Sequence, residues 1–210
     1  MPGVDLPHVL SGDDLRSLLT GEGGATDQRS GPLVRLAFTP ARALGMTTDM
    51  DRVRALSRRW MPIGRRVVVV GGGLVGTELA EFLVERGRSV TVLEEGDDLA
   101  TEMAHPRRWR ALHEARAHGV DFRTGTRLVA VTADEVIAHT AATDEKDGDE
   151  VRFGADSVLL AGSVQPDSSL AGAIRTGIGG DVEVHVVGDA GTVGYIEGAI
   201  RSGYEVGVGL

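Results

Sequence analysis

The sequence predicts an α/β fold with a parallel sheet, and three features within residues 65–94 support this prediction. The run Val67–Val70 is continuously β-branched, which is typical of a parallel strand buried on both faces. A glycine-rich turn follows, and residues 77–86 then have the pattern of a helix that ends at Gly87. Residues 89–94 form a second apolar strand, so the unit takes about thirty residues, the usual length of a β–α–β motif.

The rest of the chain is predicted to add strands, helices and a small β-meander. Residues 106–118 predict a helix that ends at Gly119. Short alternating segments separated by polar turns predict the meander, and further apolar runs predict buried strands. The remaining predicted elements are strands at 120–123, 127–131, 135–139, 150–153, 157–162 and 182–187, a hairpin tip at 142–149 and a closing helix at 195–206.

We expect residues 1–64 to form an irregular lead before the first long strand. Within this lead, Leu15–Leu19 predicts a short helix, and residues 21–31 are rich in glycine, serine and threonine, as loops are. Residues 49–60 have apolar side chains on one side and arginines elsewhere, which predicts an amphipathic surface helix.

Charge and composition exclude several classes of function. A formal net charge of −9 argues against a nucleic-acid partner, because phosphate binding needs a basic surface. The sequence contains no cysteine, which excludes thiol redox chemistry and cysteine-bound metals, so electrons would need a bound organic cofactor. No metal site is expected, and neither a secretory pattern nor a stretch of about 18 apolar residues is found. We therefore expect a cytoplasmic protein.

The glycine-rich turn and the acid after the second strand predict a dinucleotide site. Gly71 permits a sharp turn, Gly73 leaves room for a pyrophosphate, and Gly76 lets the helix pack close to the strand. The N–H groups at the start of the helix would then face the phosphates. Glu94, 18 residues after Gly76 (94 − 76 = 18), could accept hydrogen bonds from the adenosine ribose. The cofactor-binding segment is thus predicted to comprise Gly71, Gly72, Gly73, Leu74, Val75 and Gly76, together with Glu94 and Glu95.

The acidic run at residues 94–98 favours NAD(H) over NADP(H). Glu94 and Glu95 would repel a 2′-phosphate, which carries about two negative charges. FAD also uses a ribose-binding acid at such a position, so FAD bound directly in the glycine turn remains an alternative.

Residues 65–100 resemble the NAD-binding domain of the pyridine nucleotide-disulfide oxidoreductase superfamily. The sequence is more closely similar to the C-terminal half of the NADH:flavin oxidoreductases of the 2,4-dienoyl-CoA reductase and trimethylamine dehydrogenase type. Three further stretches carry this resemblance: Pro2–Pro7, Met103–Leu112, and Val184–Asp189 with Tyr195–Ile200. The resemblance implies a lead and linker at 1–64, an NAD(H)-binding Rossmann domain at 65–163, and a partial FAD-binding domain at 164–210.

The resemblance also implies roles for residues outside the glycine turn. NADH would pass hydride to an FAD held in an adjoining domain, and electrons would continue to an FMN. Glu78 would lie near the nicotinamide, or alternatively form a salt bridge on its own helix. Gly162 would line the cofactor cleft, and Gly188 with Asp189 would contact the ribityl or pyrophosphate part of FAD. No side chain is assigned a catalytic role.

The sequence departs from that family type in ways that imply a partner. The family's first glycine loop, its FMN-binding barrel and its cluster-binding cysteines have no counterpart here. We therefore expect a C-terminal portion that works within a larger assembly, with a partner protein or second copy contacting residues 1–20 and 182–210. A non-catalytic regulatory or assembly subunit that keeps a nucleotide-binding fold remains the alternative.

Overall fold

The computed structural model describes residues 1–12, 14, 61, 63–142, 148–162, 165–178 and 182–209. The chain divides into two compact units, residues 1–162 and residues 163–210. The described part of the first unit contains two helices, α1 (Leu74–Val84) and α2 (His105–Ala117). Its strands are β1 (Val9–Ser11), β2 (Arg66–Val70), β3 (Ser89–Leu93), β4 (Asp121–Arg123), β5 (Thr126–Val131), β6 (Glu135–Thr140), β7 (Glu150–Gly154) and β8 (Ser157–Leu160).

The strands of the first unit form two sheets. Five of them make a parallel sheet in the order β1-β8-β2-β3-β4. The other three make an antiparallel sheet in the order β5-β6-β7, with an irregularity between Leu128 and Ala130. The predicted α/β fold with a parallel Rossmann-like sheet and a small meander is confirmed.

Both faces of the parallel sheet are covered. Successive side chains of a strand point to opposite faces, so the residues of β2 alternate between two cores. On one face, Val67 and Val69 of β2 belong to a core that includes Ala80 and Leu83 of α1. On the other face, Val68 belongs to a second core with residues of the antiparallel sheet. This double burial explains why residues 67–70 of β2 are all valines.

The expectation of an irregular lead is wrong at residues 9–11, which form an edge strand of the parallel sheet. Val9 and Leu10 are buried, and β1 pairs in parallel with β8 through partners such as Val9 and Val158. Three residues are too few to produce a periodic pattern, so the strand depends on its partner. The predicted helices at 15–19 and 49–60, the loop at 21–31 and most of the hairpin tip at 142–149 lie outside the described residues.

The second unit contains two helices in its described part, α3 (Ser169–Ile178) and α4 (Tyr195–Gly209), and a short 3₁₀ turn at Gly188–Ala190. The predicted closing helix is confirmed and extends beyond residue 206. The predicted strand at 182–187 is wrong, because these residues form no strand and pair with none in the described chain. Alternating apolar residues without a neighbouring strand cannot complete a hydrogen-bonded ladder.

Candidate functional site

The carboxyl ends of three neighbouring strands meet at one edge of the parallel sheet. The N–H of Gly71, after β2, donates to the carbonyl of Leu93 at 2.8 Å, and the N–H of Ala161, after β8, donates to the carbonyl of Val70 at 2.9 Å. From β2 the chain continues through β3 and β4 on one side, whereas β8 and β1 lie on the other side. This is a topological switch point, where open α/β sheets bind ligands.

The glycine turn between β2 and α1 needs its glycines for steric reasons. Gly71 has a φ of +109°, and a Cβ at this position would overlap the carbonyl oxygen of Ala161. A Cβ at Gly76 would overlap the carbonyl oxygen of Gly71, inside the same turn. The structure thus supports a sharp turn at Gly71 and close helix packing at Gly76, as the sequence predicted.

Glu94 lies against this turn, directly after β3. Its Oε2 accepts the backbone N–H of Gly72 at 2.6 Å, and its Oε1 accepts the N–H of Gly96 at 2.9 Å. An ionised carboxylate has about four lone-pair positions, so both oxygens keep the capacity to accept a further hydroxyl. The bond to Gly72 fixes the position of the carboxylate relative to the glycine turn.

Glu95 has a positively charged neighbour that the sequence did not reveal. The Nε of Arg127, on β5, lies 3.9 Å from Oε1 of Glu95, and both side chains are more than half exposed. Exposed pairs of this kind are weak, so Arg127 only partly offsets the acidic run at 94–98.

The remaining predicted residues of the first unit lie around the start of α1 and the end of β8. Leu74 is the first residue of α1, and Val75 is 41% exposed. The Glu78 carboxylate forms an ion pair with Arg107 of α2 rather than with its own helix. Gly162 follows β8 in open space, since a Cβ there would have no atom within 4 Å.

In the second unit, Gly188 and Asp189 shape the turn before α4. Gly188 has a φ of +66°, and its N–H donates to Oγ of Ser202 at 2.8 Å. Oδ1 of Asp189 accepts the N–H groups of Gly194 and Tyr195, both at 2.9 Å. Asp189 therefore holds the entry into α4 in place.

Two further residues contact the glycine turn and were not predicted. The hydroxyl of Thr77, which is fully buried, donates to the carbonyl of Gly72 at 3.3 Å. Glu102 accepts the backbone N–H of Leu74 on Oε2 at 3.2 Å. The contact of Thr77 could have been expected, because Thr77 follows the turn directly in sequence. The contact of Glu102 could not, because Glu102 lies 28 residues from Leu74 in the chain.

The strand, glycine turn, helix and acid together define a dinucleotide-binding α/β protein of the Rossmann class. A family comparison narrows this class, since residues 36–188 match the model of the pyridine nucleotide-disulphide oxidoreductases. That match spans more than half of the sequence, and the chain belongs to this family. Relatives in the family are oxidoreductases that use FAD and NAD(P)H.

Individual relatives show how much of a longer protein the chain matches. It is 34% identical over 140 residues to the NADH oxidase of Thermoanaerobacter brockii, covering 67% of this chain and 20% of that protein. It is 32% identical over 139 residues to the ferredoxin reductase component of chlorobenzene dioxygenase from Cupriavidus sp. (strain PS12), covering 65% of this chain and 32% of that protein.

Among solved structures, the 6-hydroxypseudooxynicotine amine oxidase of Pseudomonas geniculata N1 has a similar fold. The TM-score is 0.62 at 21% identity, and the match covers 99% of this chain and 25% of that one. The chain thus spans about a fifth to a third of the length of these three proteins. In the described part of the chain, no helix has the length and apolar character required to cross a membrane.

Proposed function

We propose that this chain is the NADH-binding component of a flavin-dependent oxidoreductase of the NADH:flavin oxidoreductase type. The observation that carries the proposal is the Glu94 carboxylate, held by the N–H of Gly72 beside a turn in which Gly71 and Gly76 leave no room for a Cβ. This arrangement leaves room for a diphosphate at the turn and offers an acceptor to the adenosine ribose. When bound, NADH supplies a hydride and FAD accepts it.

The contribution of the chain to this reaction is binding and orientation. Gly71, Gly73 and Gly76 would let the backbone approach the diphosphate, and Glu94 would hold the ribose. Gly162, which lies in open space next to the turn, would border the nicotinamide half of the cofactor. Glu78 would lie on the same side, and its partner Arg107 would position its carboxylate.

In this proposal, a partner domain holds the flavin, either alone or together with this chain. The apolar surface of the second unit would contact that domain. Ile196, Ile200, Tyr204 and Val208 follow one another at intervals of four residues along α4, and all are at least 68% exposed. Residues spaced in this way share one face of a helix. Gly188 and Asp189 form the turn before this helix, and Asp189 accepts the N–H of its first residue, Tyr195, so a flavin contact at the turn would accompany assembly. We propose residues 164–210 as the part that joins the flavin-binding domain, and residues 65–163 as the NAD(H)-binding domain.

A nucleotide titration tests the proposal. We expect calorimetry to show NADH binding about tenfold more tightly than NADPH, because Glu94 and Glu95 repel the 2′-phosphate. Glu94→Gln should weaken NADH binding about three- to tenfold, the usual range for one hydrogen bond, and should narrow the difference from NADPH. Glu85→Gln, which makes the same charge change at the opposite end of α1, serves as the control.

Three results would contradict parts of this proposal. Equal or tighter binding of NADPH would refute the role of the acidic run. FAD that competes with NADH for the chain would support the alternative that flavin binds in the glycine turn. A chain that binds no adenine nucleotide, with or without FAD present, would support a non-catalytic assembly subunit.

A further inference from the structure

Glu102 places a carboxylate where a bound diphosphate would lie. The backbone N–H of Leu74 donates to its Oε2 at 3.2 Å, and a Cβ at Gly73 would lie 2.7 Å from its Oε1. Leu74 is the first residue of α1, and Gly73 is its N-cap. The first N–H groups of a helix have no partner within the helix, and they attract anions. Glu102 therefore satisfies one of the donors that a diphosphate would use.

Helix α1 supplies no anion of its own at its start, and Glu94 bonds to Gly72, one residue before the N-cap, rather than to the first N–H of the helix. Its N-cap glycine has no side chain to cap the helix, and its first turn contains no acidic residue. The negative charge that favours a helix N-terminus thus comes from a different segment of the chain.

The segment that carries Glu102 has an anchored backbone and an exposed Glu102 side chain. The N–H of Ala100 donates to the carbonyl of Gly72 at 2.7 Å, and the side chain of Arg108 donates to the carbonyl of Leu99 at 2.6 Å. Leu99, Ala100 and Met103 are buried, whereas Glu102 between them is exposed. The anchored backbone keeps the carboxylate within reach of α1, and solvent exposure allows the side chain to rotate away.

We propose that Glu102 is a built-in competitor for the diphosphate, which occupies the start of α1 in the free protein and must leave when a dinucleotide binds. This inference rests on the proposed function of the glycine turn. Because carboxylate and diphosphate are both negative, they cannot share the same N–H groups favourably. Glu102 thus lowers the affinity for every diphosphate ligand, and it does not discriminate between NADH and NADPH.

The test compares dissociation constants for NADH and ADP in the full chain and its Glu102 variants. Glu102→Gln removes the charge at nearly constant shape, and Glu102→Ala removes the side chain. Both should bind the two ligands about two- to fivefold more tightly, the range expected for one charge at a helix terminus. Glu85→Gln, at the C-terminal end of α1, is the matched control and should bind with unchanged affinity. Thermal melts will show whether each variant is folded.

The outcomes separate this inference from the proposed function. If the unmodified chain binds NADH but both Glu102 variants bind no more tightly, the competitor role is refuted and the nucleotide site stands. If Glu85→Gln tightens binding as much as Glu102→Gln, the effect is one of general charge and the inference fails. If neither the unmodified chain nor any variant binds NADH or ADP, the proposed function fails, and this inference, which rests on it, fails too.

Discussion

The two units of the chain differ in how they treat their apolar residues. In the first unit, Val67, Val69 and Val92 lie in the parallel sheet with at most 1% of their surface exposed. In the second unit, the helices α3 and α4 contain no buried residue. Their large apolar side chains are instead exposed: Leu170, Ile174, Ile178, Ile196, Ile200, Tyr204 and Val208.

This difference indicates which unit is stabilised by its own core and which one exposes the apolar surface that we propose a partner covers. A sheet covered on both faces removes its apolar surface from water within one chain, and this burial stabilises the fold. An exposed stripe at helical spacing gains no such stabilisation until another surface covers it. The described part of the first unit therefore has a buried core on each face of its sheet, whereas the helices of the second unit keep an exposed apolar stripe.

The largest predicted effect comes from truncating one apolar residue in each unit. Leu83→Ala, at a fully buried position of α1, should lower the free energy of unfolding by about 2–5 kcal/mol. Ile200→Ala, on the exposed stripe of α4, should change it by less than about 0.5 kcal/mol. In a Trp60→Phe background, denaturant unfolding followed by the fluorescence of Trp109, which stacks on His113 of the same helix α2, reports on the first unit. Similar losses in both variants would show that α4 belongs to the same core.

The first unit was the more predictable from sequence because its signals are local. The valines of β2, the glycines of the turn and Glu94 lie within about thirty residues and form one supersecondary motif. Each element there has its own sequence pattern. The glycines at positions 71 and 76 already indicate, by their residue type, the lack of space for a Cβ that the structure shows. The meander followed from its short alternating segments, whereas the strand order of the parallel sheet was not predicted.

The features that sequence reasoning missed depend on contacts between distant residues. Strand β1 exists because Val9 pairs with Val158, and Glu102 reaches α1 from the segment after β3. Arg127 approaches Glu95 because β5 begins beside the end of β3, where the N–H of Thr126 donates to the carbonyl of Glu94 at 2.8 Å. Helix α3 was not predicted, since Gly172 and Gly177 weaken its pattern. The strand expected at 182–187 failed for the opposite reason, because its local pattern is clear but no neighbouring strand completes it.

An intermediate effect is expected from a charge on the stripe of α4. Ile200→Glu should weaken association of the chain, with a second copy or with a flavin-binding partner, by about tenfold or more, because a buried apolar contact is replaced by a charge. Sedimentation velocity over a range of concentrations measures self-association. Arg201→Gln changes the net charge by the same amount beside the stripe and should have little effect. A monodisperse monomer in which the amides of α4 are fully protected from hydrogen exchange would refute the prediction that another surface must cover the apolar stripe of α4.

The smallest effect concerns two acids whose pKa values are both lowered. The guanidinium of Arg66 donates to Asp156, and backbone N–H groups of Arg65 and Arg66 add to this, which lowers the pKa of Asp156 below its ordinary 3.8. Hydrogen bonds from the side chain and backbone of Ser169 similarly lower the pKa of Asp167. A carboxyl group with a lowered pKa in the folded state stabilises the protein above its unfolded pKa, and this contribution is lost as the pH falls through the folded pKa.

The two acids should therefore report on the two units separately. Asp156, the residue directly before β8, accepts a hydrogen bond from Arg66 at the start of β2. Asp156→Asn should therefore lower the melting temperature at neutral pH and flatten its fall in acid, as measured by Trp109 fluorescence in the Trp60→Phe background. Asp167 bonds only two residues along the chain, to the start of α3, so Asp167→Asn should leave that melting curve unchanged and reduce only the helical circular dichroism. If both variants shift the Trp109 curve alike, the second unit is coupled to the core of the first, and the contrast between a self-sufficient unit and an interface unit does not hold.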